Sequence, residues 1–308
     1  MRDAYQVFSA DGHLLRAPSR SVGADCTVAA MRVLVCPDKF RGTLSAREAG
    51  DAIARGWLRA RPRDEVEVVP LADGGEGTLD ALVPPEHPGA TRSTSRVTGP
   101  LGDQISADLG LLGDTAVIEM ARASGLELVP TDRRDPLRAT SRGTGELMLA
   151  ALDAGARRLL VCLGGSATND GGIGMAAALG GRFMDPEGAP IPDGGGALVQ
   201  LARIDVRQIR ERLRGAEVVG VTDVDNPLCG PAGASAVFGP QKGASPDDVV
   251  VLDRALAHLA AVAARDLGTD RSHEPGAGAA GGLGFGLLSF AGARLRRGVE
   301  VVMEAVGF

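Results

Sequence analysis

The sequence predicts an α/β protein, and three observations predict it. Apolar runs of strand length recur at 31–37, 66–70, 159–163 and 216–221, and each ends in a polar turn. Those turns, at 38–45, 72–78, 164–174 and 222–228, gather aspartate, serine, threonine or asparagine, in most cases with glycine. Helix-start signals follow: Ser45 with Glu48 three residues on is a capping box, and Ser245 precedes a proline and two aspartates. Strand, polar turn, helix is the alternation that builds α/β sheets, and ligands bind where such strands end.

The stretch 159–179 shows the pattern most fully. Leu159 to Leu163 reads as a buried strand. Gly164, Gly165, Gly171, Gly172 and Gly174, with Ser166, Thr168, Asn169 and Asp170 between them, form the turn, and a helix follows from Met175. Glycine lets a backbone approach a phosphate closely, and helix N-termini present N–H groups to anions. Asp170 repels a phosphate, so it fits this turn only with a metal ion or a proton in company.

The elements follow in chain order. Residues 1–30 show no period and read as a loosely ordered extension, with Met31 the expected natural start. After the strand 31–37, Asp38, Lys39 and Arg41 lie at a strand end just before a helix whose spacing predicts Ala49, Ile53, Trp57 and Ala60 as its buried face. The strand 66–70 delivers Asp73 and Glu76, set between glycines, which can hold a divalent cation or act as a base. Residues 84–99 read as a proline- and threonine-rich connection, and 107–112 and 115–120 as paired strands. Thr144 is the expected cap of a helix running to Ala154. The strand 216–221 delivers Asp223 and Asn226. Ser245 opens a long helix with Val250, Leu252, Leu256 and Leu259 on its apolar side.

Composition narrows the function. The chain has 308 residues, 44% of them hydrophobic, enough for a sizeable core. A net charge of −6 and 3% aromatics argue against a nucleic-acid partner. No apolar run has membrane-spanning length and no secretory leader is evident. Cys26, Cys36, Cys162 and Cys229 lack metal-ligand spacing, so reduced thiols in the cytoplasm are expected. Of 33 lysines and arginines only Lys39 and Lys242 are lysines, and both fall in turn motifs. A lysine kept where arginine is the default suggests a need for a compact ammonium.

Taken together these motifs resemble the glycerate kinase family, in its bacterial two-domain form. The resemblance rests on Pro-Asp-Lys-Phe-Arg-Gly-Thr-Leu-Ser-Ala at 37–46, Ala-Asp-Gly-Gly-Glu-Gly-Thr at 72–78 and Ser-Arg-Gly-Thr-Gly-Glu at 141–146. It continues through Gly-Gly-Ser-Ala-Thr-Asn-Asp-Gly-Gly at 164–172, Thr-Asp-Val-Asp-Asn-Pro-Leu at 222–228, Phe-Gly-Pro-Gln-Lys-Gly-Ala-Ser at 238–245 and the glycine tract 276–284. It implies a Rossmann- or flavodoxin-like domain from 31–72 and 286–308, with a second α/β domain, 73–285, inserted into it. Family members continue beyond the position of residue 308, so the first domain is expected to be incomplete here.

The resemblance also implies ATP-dependent phosphorylation of D-glycerate to 2- or 3-phosphoglycerate, with Mg²⁺, in the cytoplasm. On that reading Asp38, Lys39, Asp170 and Lys242 are catalytic, Asp38 or Asp170 as the base. Arg41, Asp73, Glu76, Ser141, Arg142 and Asn226 bind substrate. Gly164, Gly165, Ser166, Asn169, Gly171, Gly278 and Gly281 bind the phosphates of ATP, and Asp73 and Asp223 hold the metal. No Walker A pattern occurs. The expected partners are small molecules, and a homodimer stays open. Two other readings stay open as well. One is a family member that binds ligand without turnover. The other is an NAD(P)-dependent oxidoreductase, resting on Gly276, Gly278 and Gly281 with Glu300 beyond them, against which the missing preceding strand counts.

Overall fold

A computed structural model describes residues 7–8, 14–15, 30–40, 43–85 and 87–307. Arg41 and nearly all of the expected N-terminal extension lie outside the described residues. Strands β1 (Val7–Phe8) and β2 (Leu14–Leu15) pair as a short antiparallel ladder.

β3 (Arg32–Val35), helix α1 (Ala46–Ala60) and β4 (Glu65–Val68) form a small parallel unit. The capping box is present: Ser45 Oγ accepts from Glu48 N–H, and the Glu48 carboxylate accepts from Ser45 N–H at 2.8 Å. The expected buried face of α1 is corrected. Ala49 is buried with Gly50, whereas Ile53 is 46% exposed and Trp57 36%. A sheet of two strands is too narrow to cover a four-turn helix. Trp57 instead donates its indole N–H to Asp64, which also accepts from Arg61 and Met31 N–H.

The chain then passes through α2 (Thr78–Leu82) into β5 (Ala90–Thr98), β6 (Gln104–Leu112) and β7 (Thr115–Glu119). Residues 90–98, expected within a connection, are a nine-residue strand paired along its whole length with β6. The sequence there is polar because β5 is an edge strand, and edge strands carry charge that blocks further pairing. After α3 (Ala121–Ser124), helix α4 (Arg142–Asp153) starts from Ser141 rather than at Thr144. Thr144 is buried one turn in and hydrogen-bonds Ser124.

β8 (Arg158–Cys162), α5 (Ile173–Ala178), β9 (Arg182–Met184), β10 (Arg203–Asp205), α6 (Arg207–Arg212) and β11 (Glu217–Val221) follow. The C-terminal third holds α7 (Ala234–Phe238), α8 (Pro246–Leu267), α9 (Ala279–Phe290), β12 (Arg294–Arg296) and α10 (Gly298–Ala305).

Six strands make the main sheet, in the order β12-β11-β8-β7-β6-β5. The first four run parallel and the last two add antiparallel strands. Both faces are buried, which is why β7, β8 and β11 read as unbroken apolar runs. Ala116, Ile118, Leu159, Val161 and Val218 point into a large core with α4, α5, α8 and α9. Val117, Leu160, Cys162, Val219 and Val221 point into a smaller one closed by α2 and α10. No strand of 31–72 pairs with one of 286–308 among the described residues, while Ala72 shares the smaller core with Val301 and Val302. β12 pairs with β11, whose edge lies open to it, and Val301 and Val302 of α10 pack with Leu79 of α2. No helix among the described residues is long and apolar enough to cross a membrane.

Candidate active site

Several polypeptide turns converge at the carboxyl ends of the parallel strands. They enclose a cleft of about 450 Å³ lined by Lys39, Asp73, Glu76, Ser166, Asp223 and Lys242, among others. Lys39 comes from the turn after β3, Asp73 and Glu76 from the turn after β4, Ser166 from that after β8, and Asp223 from that after β11.

The turn after β8 divides into two halves. Its first half, Gly164 to Ser166, lines the cleft. Gly165 adopts φ +71°, and a Cβ there would collide with Glu76 Oε1. Among the described residues, the N–H groups of Gly164, Gly165 and Ser166 donate no hydrogen bond, as an anion cradle requires. The second half is buried behind it. Asn169 donates to Ser235 Oγ at 3.0 Å, and Gly171 N–H is taken by the Gly281 carbonyl.

Asp170 belongs to that buried half and does not line the cleft. Its oxygens accept from Ser141 N–H and Ser141 O–H at 2.8 Å, from Gly172 N–H at 3.1 Å and from Gly174 N–H at 3.3 Å. Burial pushes its carboxyl up, while the bonds from Ser141 and Gly172 pull it back down. Ser141 is fully buried and also accepts from Met175 N–H. The pair fastens the start of α4 to the start of α5.

Lys242 is brought to the cleft by a 3-10 turn (Pro240–Lys242) ahead of α8. Only 2% exposed, it donates from Nζ to Ser166 Oγ and to the Thr168 carbonyl, both at 2.7 Å. Burial pushes its ammonium down to about 7, and the charge of Asp170 opposes the fall. Lys39 Nζ stands 3.5 Å from Asp73 Oδ1, which also accepts from Gly75 N–H. Asp223 accepts from Gly298 N–H at 3.1 Å; burial first, and then the charge of Asp73, holds its carboxyl above the ordinary value.

The remaining expected site residues lie elsewhere. Asp38 lines an adjoining hollow of about 600 Å³ that shares Lys39 and Glu76 with the cleft. Arg142 forks onto Asp193 at 2.6 and 2.7 Å beside a separate hollow of about 290 Å³. Asn226 donates to the Ala232 carbonyl, away from the cleft. Gly278 and Gly281 are pressed against backbone: a Cβ on Gly278 would overlap the Pro227 carbonyl, and one on Gly281 the Thr168 carbonyl. These two glycines join the turns after β8 and β11 to α9. Their tract takes left-handed backbone at Ala280, Gly281 and Gly282, and the element immediately before it is helix α8, not a strand.

Sequence reasoning missed Glu127, Arg134, Phe238 and Gln241, which also line the cleft. Phe238 and Gln241 sit within the motif that drew attention to Lys242. Glu127 and Arg134 fall in an arginine-rich loop with no motif to mark them.

Asp73 and Asp223 fit a divalent cation by their chemistry, since they are two carboxylates that line the same cleft as the anion cradle. No group of three or more His, Cys, Asp or Glu side chains gathers among the described residues. Mg²⁺ suits such a sparse set, because it takes one or two carboxylates and completes its shell with water and substrate phosphates.

The model of the glycerate kinase family matches residues 33–308. The glycerate kinase of Bacillus subtilis (strain 168) is 53% identical over 280 residues, covering 90% of this chain and 73% of that protein. The glycerate 2-kinase of Escherichia coli (strain K12) is 48% identical over 281 residues, covering 90% and 72%. A solved structure from Salmonella typhimurium LT2, assigned as glycerate kinase 2, superposes with a TM-score of 0.82 at 48% identity, covering 91% of this chain and 75% of that one.

Proposed function

The chain belongs to the glycerate kinase family, and from that premise we propose that it transfers the γ-phosphoryl group of ATP to a hydroxyl of D-glycerate, giving 2- or 3-phosphoglycerate. The observation that carries the proposal is the shared cleft. A glycine turn whose N–H groups are unengaged among the described residues, two lysines and four carboxylates (Asp73, Glu76, Glu127 and Asp223) face one space.

Phosphoryl transfer needs positioning, charge neutralisation and a group to take the hydroxyl proton. The N–H groups of Gly164, Gly165 and Ser166 cradle phosphate oxygens, and Lys39 and Lys242 offset charge on the transferring group. Glu76, whose Oε1 lies against Gly165, takes the proton of the attacking hydroxyl. Asp38, Asp170, Ser141 and Asn226 act by holding turns in place. Asp73 and Asp223 hold Mg²⁺, which when bound neutralises charge on the phosphates.

A coupled assay tests this reading. It predicts ADP release that depends on D-glycerate. Glycerate-dependent NAD(P) reduction in its place would return the oxidoreductase reading, and silence of a folded protein in both would return binding without turnover.

A further inference from the structure

Among the described residues, two cations of the cleft have no carboxylate partner. Lys39 pairs with Asp73. Among the described residues Arg134 and Lys242 form no ion pair. Arg134 donates from Nη1 to the Gln241 carbonyl at 3.1 Å, and its Nε is buried with no hydrogen-bond partner among the described residues. Lys242 is buried, and its hydrogen-bond acceptors among the described residues are neutral, a hydroxyl and a carbonyl.

The backbone holds these two side chains in one wall. Gly243, at φ +97°, lies so close to the other segment that a Cβ would stand 2.8 Å from the Arg134 carbonyl oxygen and 2.9 Å from its Cβ. A buried cation without a counter-charge is costly. A planar guanidinium presents paired donors that match two oxygens of a carboxylate or phosphate. Ser166, the hydroxyl partner of Lys242, belongs to the glycine turn whose N–H groups are unengaged.

We propose that Arg134 and Lys242, with Ser166, form an oxyanion subsite that receives a carboxylate or phosphoryl group of a substrate and supplies it with charge that the protein leaves unpaired. The inference rests on the kinase reading of the cleft and adds a residue and a physical consequence to it. An arriving anion favours the charged form of the Lys242 amine, so binding draws a proton onto the protein.

The groups that face Lys242 set this balance. Asp170 faces it from behind. Glu127 and Arg134 face the same cleft from the loop 126–134, and Lys39, Asp73, Glu76 and Asp223 from the turns after β3, β4 and β11. Burial leaves the free amine near 7. At about pH 8 most of it is then uncharged, against an ordinary lysine that would be protonated.

The test is titration calorimetry with three probes, D-glycerate, inorganic phosphate and ADP, at about pH 8 in two buffers of different ionisation enthalpy. Wild type, Arg134→Gln and Lys242→Met are compared. The wild type is expected to take up a proton with the anion that seats there, and Lys242→Met to lose that uptake. Both variants should bind the same anion about 10-fold or more weakly, the scale of a charge-assisted hydrogen bond. Weakening confined to D-glycerate identifies a carboxylate subsite; weakening of phosphate or ADP identifies a phosphoryl subsite. Arg134→Lys should recover part of the lost affinity.

Should Lys242→Met fail to fold, lysine-selective ¹³C labelling of the wild type gives just two side-chain signals. The Lys242 midpoint should rise by about one unit or more when the anion binds. Anion binding unchanged in Arg134→Gln, or a Lys242 midpoint unmoved by any probe, overturns the subsite. Those results would leave the kinase reading standing if ADP release still depends on D-glycerate. Proton-coupled anion binding without turnover would do the reverse.

Discussion

Gly75 and Gly164 meet back to back. A Cβ on Gly164 would overlap the Cα of Gly75, so the turns after β4 and β8 touch through bare backbone. This contact sets how far Asp73 and Glu76 stand from the glycine cradle. Gly164→Ala must separate the two turns. A displacement near 1 Å at a reacting centre costs on the order of 100-fold in rate. The variant is expected to lose about that much in kcat/KM, measured by ADP release, with its far-ultraviolet circular dichroism unchanged.

Asp73 and Asp223 are the proposed metal ligands, and they act as a pair. Chelation with EDTA is expected to abolish turnover, and added Mg²⁺ to restore it. Asp223→Asn should raise the Mg²⁺ concentration needed for half-maximal rate by about 10-fold or more, the order expected for losing a charge-assisted ligand. An unchanged Mg²⁺ dependence would remove Asp223 from that role.

Asp170 predicts a different phenotype. Its carboxylate is spent on four hydrogen bonds inside the protein and does not line the cleft. Asp170→Ala leaves those donors buried without an acceptor, at about 1–3 kcal/mol for a group so stranded. Urea unfolding should show that loss. Activity at a temperature where the variant stays folded should fall less than in Lys39→Ala, whose ammonium faces the cleft. A kcat lost entirely in a fully stable Asp170→Asn would contradict the structural role.

The low proton affinity of Lys242 makes stability depend on pH. The unfolded chain keeps the lysine proton up to its ordinary value of 10.5, and the folded chain releases it near 7. Between those values the unfolded state binds more protons, so this residue makes the fold gain stability as pH rises. Urea midpoints at about pH 7 and about pH 10 should show wild type improving relative to Lys242→Met. Parallel behaviour of the two proteins would mean that the amine is charged in the fold.

Much of this site was legible in the sequence because strand ends advertise themselves. Lys39, Asp73, Glu76, Ser166, Asp223 and Lys242 each follow an apolar run or sit in a glycine turn, and the structure gathers all six. What failed was direction. The stretch 164–172 reads as one loop, yet its first residues face the cleft and Asn169, Asp170 and Gly171 turn into the core. Sequence spacing does not record which way a turn folds back. Arg142 reads as a substrate cation until Asp193, 51 residues away, is seen to claim it. Trp57 and Ile53 have helical spacing, but burial needs an opposing surface, and the two-stranded β3–β4 sheet is too narrow to give one. Arg134 escaped notice because its chain neighbours are also charged; only its packing against Gly243 sets it apart.

The most direct measurement is ADP formation from ATP and Mg²⁺ with and without D-glycerate, run beside Lys39→Ala. The cleft described here predicts ADP release only when D-glycerate is present, reduced by about 100-fold or more in the variant. A folded protein that releases no ADP with D-glycerate, or that releases it equally without the acid, contradicts the assignment of these residues to phosphoryl transfer.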